Sequence, residues 1–222
     1  MQKWVLSIGL IIVVLSCNKS QNNIDLGHSY FPLYPELTRT YQVTEIFHDE
    51  ALSPAHDTLV YQIKEVVGQP YTDDLGEQAF ELFRYRKVVN GDWEIKDVWS
   101  TKRTPQRGEV VEENRLIVKL GFGINNTTVW DANAFNGLDE TESHYRTINQ
   151  PFSINGFNFD STCQVVHNEL TSFVDHQVSY DIYAKHIGNI YSVHKDLIID
   201  NFDTLDVKKG QELILELIDY SN

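Results

Sequence analysis

The chain is poor in cysteine, in basic residues and in long apolar runs. Its two cysteines, Cys17 and Cys163, allow at most one intrachain disulfide, which excludes a small disulfide-stabilised scaffold. Lys and Arg number 18 against 32 Asp and Glu, a net charge of −14. A surface of this sign repels phosphate backbones, so we exclude nucleic acid as a partner. The longest apolar run, residues 4–15, is shorter than the roughly 20 residues that a membrane-spanning helix needs.

Sequence motifs for common catalytic chemistries are also missing. The chain has no phosphate-binding Gly-rich loop, no nucleophile elbow and no zinc-protease helix motif. The acidic stretches at 72–77 and 200–206 lack the alternating ligands of a calcium-binding loop. The sequence therefore predicts no catalytic residue, no metal site and no cofactor other than a covalent lipid.

The N-terminus carries that lipid signal. Lys3 gives a positive start, the apolar run follows, and Val14-Leu15-Ser16-Cys17 ends it, which is the pattern of a secretory signal. These last four residues resemble the lipobox of bacterial lipoproteins, in which the cysteine is lipidated and becomes the first mature residue. The resemblance implies a signal peptide over residues 1–16 and acyl chains, such as palmitate, on Cys17. A buried N-terminal helix and an ordinary cleaved signal are the alternatives.

Residues 17–30 are expected to form a polar tether, because Asn18–Asn23 show neither helical nor strand periodicity. Asn18 is not the Asp that retains lipoproteins in the inner membrane, and no acidic cluster for surface display follows it. We therefore expect an outer-membrane lipoprotein that faces the periplasm, with surface exposure as the open alternative. Lys19 is the tether's lone basic residue, so contact with the membrane depends on the acyl chains.

Residues 31–222 are predicted to form a single all-β domain. Hydrophobic periodicity is close to two, and β-branched and aromatic residues dominate the apolar set. Ten strands in an antiparallel meander, closed as a barrel or split as a sandwich, are expected. The predicted strands are Thr40–Phe47, Thr58–Val67, Gln78–Val89, Asp92–Lys102, Arg115–Leu120, Ser143–Ile154, Phe157–Asn168, Val178–Ile187, Ile190–Ile199 and Gln211–Tyr220.

Three dipeptides predict tight hairpin turns and with them the strand register. Asn90-Gly91 and Asn155-Gly156 favour type I′ turns, in which both central residues have positive φ, and Gly188-Asn189 favours type II′. The first turn places Leu82 opposite Trp99 and Arg84 opposite Asp97. This last pair is interpreted as a cross-strand ion pair, with a functional pair in a cleft as the alternative.

The other two turns predict further pairs. Turning at 155–156 places His144 opposite His167, two candidate zinc ligands for which the sequence supplies no third. Turning at 188–189 places Asp181 opposite Asp196, and Tyr183 opposite His194, on the face away from the core. Cys163 is interpreted as a small buried apolar residue rather than a nucleophile.

Several segments resemble β-rich envelope lipoproteins of the Bacteroidetes type. They are Tyr30-Phe31-Pro32-Leu33 with Thr40-Tyr41-Gln42-Val43, Asp97-Val98-Trp99-Ser100, Trp130–Asn136 and Tyr183–Gly188. Pro35-Glu36-Leu37 stands where that group usually has a glycine turn. The resemblance covers most of the mature chain and implies a β-rich domain, but no catalytic residue.

These observations favour a lipid-anchored, non-enzymatic envelope protein whose β domain binds or scaffolds something. A sharper alternative is a carrier of an apolar or lipid ligand, with Trp93, Trp99, Trp130 and Phe135 as candidate cavity residues. A third is an envelope hydrolase that uses carboxylates or the His144/His167 pair. The expected partners are the membrane, through the anchor, and either an envelope protein or an apolar ligand.

Overall fold

The structure is a computed structural model that describes residues 25–89 and 91–221. Within these ranges the chain forms one 3₁₀ turn, His28–Tyr30, and twelve strands. The strands are β1 (Thr38–Asp49), β2 (His56–Thr72), β3 (Gln78–Lys87), β4 (Trp93–Arg103), β5 (Arg107–Glu112), β6 (Arg115–Gly121), β7 (Val129–Asp131), β8 (Glu142–Ile154), β9 (Phe157–Thr171), β10 (Asp175–Ala184), β11 (Gly188–Asp200) and β12 (Asp203–Ser221). No helix in the described ranges is long and apolar enough to cross a membrane.

All twelve strands belong to one antiparallel sheet in the order β6-β5-β4-β3-β2-β1-β12-β11-β10-β9-β8-β7. Its two edge strands, β6 and β7, lie close together. The Val118 N–H on β6 donates to the Ala132 carbonyl at 2.9 Å, and Nε1 of Trp130 on β7 donates to the Val118 carbonyl at 3.0 Å. The sheet is therefore a nearly closed barrel, and the predicted all-β antiparallel class is confirmed. The ten predicted strands are present, and β5 and β7 are two that the sequence analysis missed.

The hairpin at 155–156 forms as predicted. Asn155 and Gly156 have φ values of 49° and 84°, and Phe152 lies opposite Phe159. The connection between β3 and β4 differs: the Gly91 N–H donates to the Val88 carbonyl and the Val88 N–H to the Asp92 carbonyl, so five residues replace the predicted two-residue turn. Asn90 lies outside the described residues.

The predicted β3–β4 register is correct only for the residue pairs that lie far from the turn. Leu82 faces Trp99 and Arg84 faces Asp97 as predicted, but a bulge after Arg84 then shifts the pairing by one residue. The bulge accommodates the longer connection, and Lys87 lies opposite Trp93, where a two-residue turn at 90–91 would have placed Val88.

The hairpin predicted at 188–189 turns earlier. The Ile187 N–H donates to the Ala184 carbonyl, His186 has a φ of 67°, and Gly188 lies inside β11 opposite Ala184. The register therefore differs by several residues from the prediction, and Asp181 faces Ser192 instead of Asp196.

The N-terminal segment, residues 25–37, closes one end of the barrel. Tyr30, Phe31 and Leu37 are buried within a core cluster that includes Tyr145 and Cys163. Backbone bonds join this segment to β2 through Leu37 and Val67 and to the β10–β11 turn through residues 29 and 186. The chain connections at 73–77, 104–106, 155–156 and 185–187 lie at this closed end, and those at 50–55, 88–92, 172–174 and 201–202 lie at the other end.

Candidate functional site

The barrel encloses a cavity of about 340 Å³. The N-terminal segment contributes part of its wall through Phe31, Pro32 and Leu33. The remaining apolar and aromatic wall is contributed by β1 to β5 and by β10 and β12. These side chains are Tyr41, Val43, Tyr61, Ile63, Leu82, Trp99, Val110, Tyr183, Leu213 and Leu215.

A chain of charged side chains crosses the interior beside these apolar residues. Nη2 of Arg39 lies 3.2 Å from Oε2 of Glu65, and Oε1 of Glu65 lies 3.2 Å from Nε of Arg84. Nη1 of Arg84 lies 3.2 Å from Oδ2 of Asp97, and the guanidinium carbon sits 3.8 Å from the centre of the Trp99 ring. The predicted Arg84–Asp97 ion pair therefore forms, and Arg84 also lines the cavity.

The charges that line the cavity balance. Four cations, Arg39, Arg84, Lys96 and Lys119, accompany four anions, Glu45, Glu65, Glu112 and Asp181. Nζ of Lys119 lies 2.6 Å from Oε1 of Glu112, and Nζ of Lys96 lies 2.7 Å from Oδ2 of Asp97. Each cation of the wall thus already has an anionic partner.

Glu45 has a neutral partner. Its Oε1 accepts a hydrogen bond of 2.7 Å from the hydroxyl of Tyr61. Burial and this hydrogen bond raise the pKa of Tyr61 to about 12, so the phenol stays protonated and keeps donating at neutral pH.

Two buried donors on the cavity wall have no acceptor. They are Nε of Arg39 and Nε1 of Trp99, two of the three buried side-chain nitrogen or oxygen atoms without a hydrogen-bond partner in the described chain. A buried donor without a partner costs about 1–3 kcal/mol. Both nitrogens are covered by neighbouring protein atoms, so each is an unsatisfied donor within the wall of the barrel.

A second polar cluster surrounds Asp181, which is buried. Nε2 of His167 lies 3.1 Å from Oδ2 of Asp181, and Nδ1 of His167 lies 2.8 Å from Oγ of Ser143. Burial alone would raise the pKa of Asp181, but the hydrogen bond and charge of His167, with His194 and Lys119, hold it well below its usual range. Ser143 is completely buried, so no substrate reaches its hydroxyl in this conformation, although serine, histidine and aspartate stand in a row.

A second cavity of about 450 Å³ extends from the first toward the end that the N-terminal segment leaves free. The two share Glu45, His194 and Leu213 in their walls. The second is also lined by Phe47 and Gln211, which are exposed on the surface. We call this region the mouth, because it connects the interior of the barrel to solvent.

Several site residues predicted from the sequence lie elsewhere than expected. His144 faces Val166 rather than His167, because bulges between Tyr145 and Phe152 shift the β8–β9 register by one residue. The predicted pairing of His144 with His167 is therefore wrong. Asp181 and Tyr183, predicted on the face away from the core, are buried and line the cavity.

The structure also locates Cys163 and a second pair of neighbouring histidines. Cys17 lies outside the described residues, and Cys163 is fully buried without a disulfide, as predicted for a small core residue. His48 and His56 face each other across β1 and β2, with 2.8 Å between their Nδ1 atoms. Across residues 25–89 and 91–221, no group of three His, Cys, Asp or Glu residues is placed to hold a metal ion.

The fold and the cavity define an antiparallel, nearly closed β-barrel with a partly polar interior. No family model matches the chain, and neither the curated proteins nor the solved structures that were compared include a match.

Proposed function

We propose that this protein is a lipid-anchored, non-enzymatic envelope protein whose barrel binds and carries a small molecule. The observation that carries the proposal is the interior cavity, closed at one end by residues 25–37 and open at the mouth. Its volume falls within the range of about 300–1,000 Å³ that is typical of small-molecule sites. A barrel that only served as a scaffold would gain stability by filling this space with side chains.

The composition of the wall supports binding of a molecule that is mostly apolar. Tyr61, Trp99, Leu213 and Leu215 are partly exposed in this wall and offer apolar surface that a ligand would remove from water, worth about 25 cal/mol for each Å² buried. Trp99, one of the four candidate cavity residues predicted from the sequence, lines this wall, whereas Trp93, Trp130 and Phe135 do not.

The proposed anchor on Cys17 fits this arrangement. The segment that covers the closed end begins at residue 25, and Tyr30, the last residue of the tether predicted over residues 17–30, is buried in the core, so the part of the tether that precedes residue 25 would approach the barrel from that side. The mouth would then point away from the outer membrane and into the periplasm. The ligand would therefore exchange with the aqueous compartment or with a partner protein.

The experiment is a binding titration with 1-aminoanthracene, a neutral apolar fluorophore whose emission rises on leaving water. Val110→Phe adds bulk to the cavity wall, and Val111→Phe, the next residue of β5, lies outside that wall and serves as the matched control. We expect Val110→Phe to weaken binding at least ten-fold and Val111→Phe to leave it unchanged. Circular dichroism and the thermal midpoint establish that both variants are folded.

Two outcomes would contradict the proposal. If 1-aminoanthracene showed no saturable binding to the wild-type chain, the cavity would not act as a site for apolar small molecules. Equal binding by Val110→Phe and Val111→Phe would place the fluorophore outside the barrel.

A further inference from the structure

Glu45 lies where the two cavities of the barrel meet. Along β1, Val43 lines the first cavity, Phe47 lines the mouth, and Glu45 between them lines both. We call the first cavity the inner cavity. Oε1 of Glu45 accepts a hydrogen bond from the hydroxyl of Tyr61. Oε2 accepts none from the residues that the structure describes, and it is not one of the three buried atoms without a partner, so it is accessible within these cavities.

The mouth carries an excess of negative charge. Three carboxylates and one lysine line it: Glu45, Asp196, Glu212 and Lys195. Nζ of Lys195 lies 2.6 Å from Oε2 of Glu212, so this lysine is already paired. Asp196, like Glu45, has a neutral partner, because its Oδ1 accepts a hydrogen bond of 3.0 Å from the side-chain amide of Gln177. Two carboxylates of the mouth therefore have no cation beside them.

The inner cavity does not supply the missing positive charge. Each of its four cations pairs with a carboxylate other than Glu45. His194, which lines both cavities, is neutral at neutral pH because desolvation lowers its pKa. A partly desolvated carboxylate without a cationic partner is unfavourable, so a cation brought by a ligand would be bound at Glu45 in preference to an anion.

The inner cavity beside Glu45 suits an apolar group. Leu213 lies directly opposite Glu45 in the ladder between β1 and β12 and, like it, lines both cavities. Leu215 and Trp99 extend the partly exposed apolar wall of the inner cavity. A charged acceptor thus stands at the entrance to an apolar chamber, which is the arrangement that a molecule with a cationic head and an apolar tail requires.

We propose that the barrel binds a protonated amine with an apolar tail, in which the ammonium group donates a hydrogen bond to Glu45 and the tail lies in the inner cavity. This inference rests on the proposed function and specifies the ligand class for the same site. A carboxylate head group would meet a second negative charge at Glu45. A hydroxyl head group would leave the charge of Glu45 uncompensated.

The experiment compares four probes with the same eight-carbon chain: octylamine, octyltrimethylammonium, 1-octanol and octanoate. The full-length protein is held in nanodiscs of a zwitterionic phospholipid, binding is measured by titration calorimetry at neutral pH, and the signal from empty nanodiscs is subtracted. We expect octylamine to bind about ten-fold or more tightly than 1-octanol, because a hydrogen bond between charged groups is stronger than one to a neutral group. Octyltrimethylammonium, which has no N–H donor, should bind more weakly than octylamine, and octanoate should bind most weakly.

Variants connect this selectivity to Glu45. Glu45→Gln keeps the size of the side chain and an oxygen that accepts from Tyr61, but it removes the charge. Octylamine binding should weaken about ten-fold or more, whereas 1-octanol binding should not change. Glu94→Gln is the matched control, because Glu94 is exposed on β4 and lies outside the walls of both cavities. Glu45→Lys should reverse the selectivity, so that octanoate binds more tightly than octylamine. Circular dichroism establishes that each variant is folded.

The outcomes separate the two proposals. Failure of all four probes to bind saturably would count against the barrel as a binding protein. Saturable binding of 1-octanol with equal or weaker binding of octylamine would overturn only the inference about an amine. Equal affinity for octylamine and octyltrimethylammonium would overturn the hydrogen bond to Glu45. Unchanged octylamine binding by Glu45→Gln would overturn the role of this carboxylate.

Discussion

The Oδ2 atom of Asp181 lies 3.1 Å from Nε2 of His167 on the neighbouring strand and also accepts a hydrogen bond of 3.2 Å from the hydroxyl of Tyr183. The other imidazole nitrogen of His167 contacts Ser143 on β8. One buried carboxylate thus connects β8, β9 and β10 inside the barrel. Because removal of one partner leaves the others buried without a counterpart, this cluster has a large effect on stability.

Asp181→Asn should therefore lower the free energy of unfolding by about 3–5 kcal/mol near neutral pH. The measurement is urea unfolding followed by circular dichroism. Asp196→Asn is the control, because Asp196 is exposed and should change stability by no more than about 0.5 kcal/mol. Equal effects of the two substitutions would show that the buried cluster does not stabilise the fold.

The same carboxylate predicts a pH dependence. The pKa of Asp181 in the folded chain lies well below the unfolded value of about 3.9. Its stabilisation is fully present above that unfolded value and is lost as the pH falls through the folded pKa. Between pH 5 and pH 2, the stability of the wild-type chain should therefore decrease more steeply than that of Asp181→Asn, and parallel curves would contradict this.

Gly108 provides a test of the N-terminal segment. A Cβ atom built at this position would lie 2.7 Å from Cγ of Phe31, which is closer than real side chains approach. Gly108→Ala should lower the free energy of unfolding by about 1–3 kcal/mol, because the Phe31 ring must move. Gly137→Ala, with no atom within 4 Å of the added carbon, should not destabilise the chain. If Gly108→Ala left the free energy of unfolding unchanged, the N-terminal segment would be able to shift away from the added carbon without loss of stability.

Cys163 should be inert to thiol reagents in the folded protein. Burial raises the pKa of its thiol far above the ordinary value, and the side chain is not accessible. In a Cys17→Ser variant, in which Cys163 is the remaining cysteine, we expect no labelling in buffer and one label per chain in denaturant. Rapid labelling in buffer would reveal opening of the core.

The proposed lipid anchor gives a separate prediction. Mature protein should begin at Cys17 and partition with membranes, and Cys17→Ser should abolish incorporation of a labelled fatty acid. Intact-mass analysis of the purified protein tests this, since an unmodified Cys17 or cleavage at another residue would contradict the lipobox interpretation.

Of the three hairpin turns predicted from the sequence, the one at 155–156 forms as predicted, whereas the same Asn-Gly dipeptide at 90–91 belongs to a five-residue connection. Asn155 and Gly156 both adopt positive φ, as a type I′ hairpin requires. Gly188 also has positive φ, at 93°, but it lies within β11 because His186 supplies the turn. A histidine in this conformation is not apparent from the sequence, since glycine and asparagine are the usual residues there.

The polar interior was harder to predict for a physical reason. The alternation of polar and apolar residues along β10 predicts that the face with Asp181 and Tyr183 is in contact with solvent, because charged residues normally lie outside. In this barrel the ion pairs and hydrogen bonds of Arg39, Glu65 and Asp181 satisfy buried charges, so polar and apolar side chains share the interior. Each of these pairs joins two consecutive strands, but it depends on hairpin registers and bulges that a single-sequence pattern does not determine.

The N-terminal segment and the last strand leave the barrel at the same end, where Ser221 lies opposite Thr38. A reporter protein fused to the C-terminus would therefore sit beside the closed end, where it does not obstruct ligand entry. An epitope inserted at residues 172–174 would instead stand at the opposite rim. Comparison of these two tagged variants would allow accessibility from outside the cell to be measured separately for each end of the barrel.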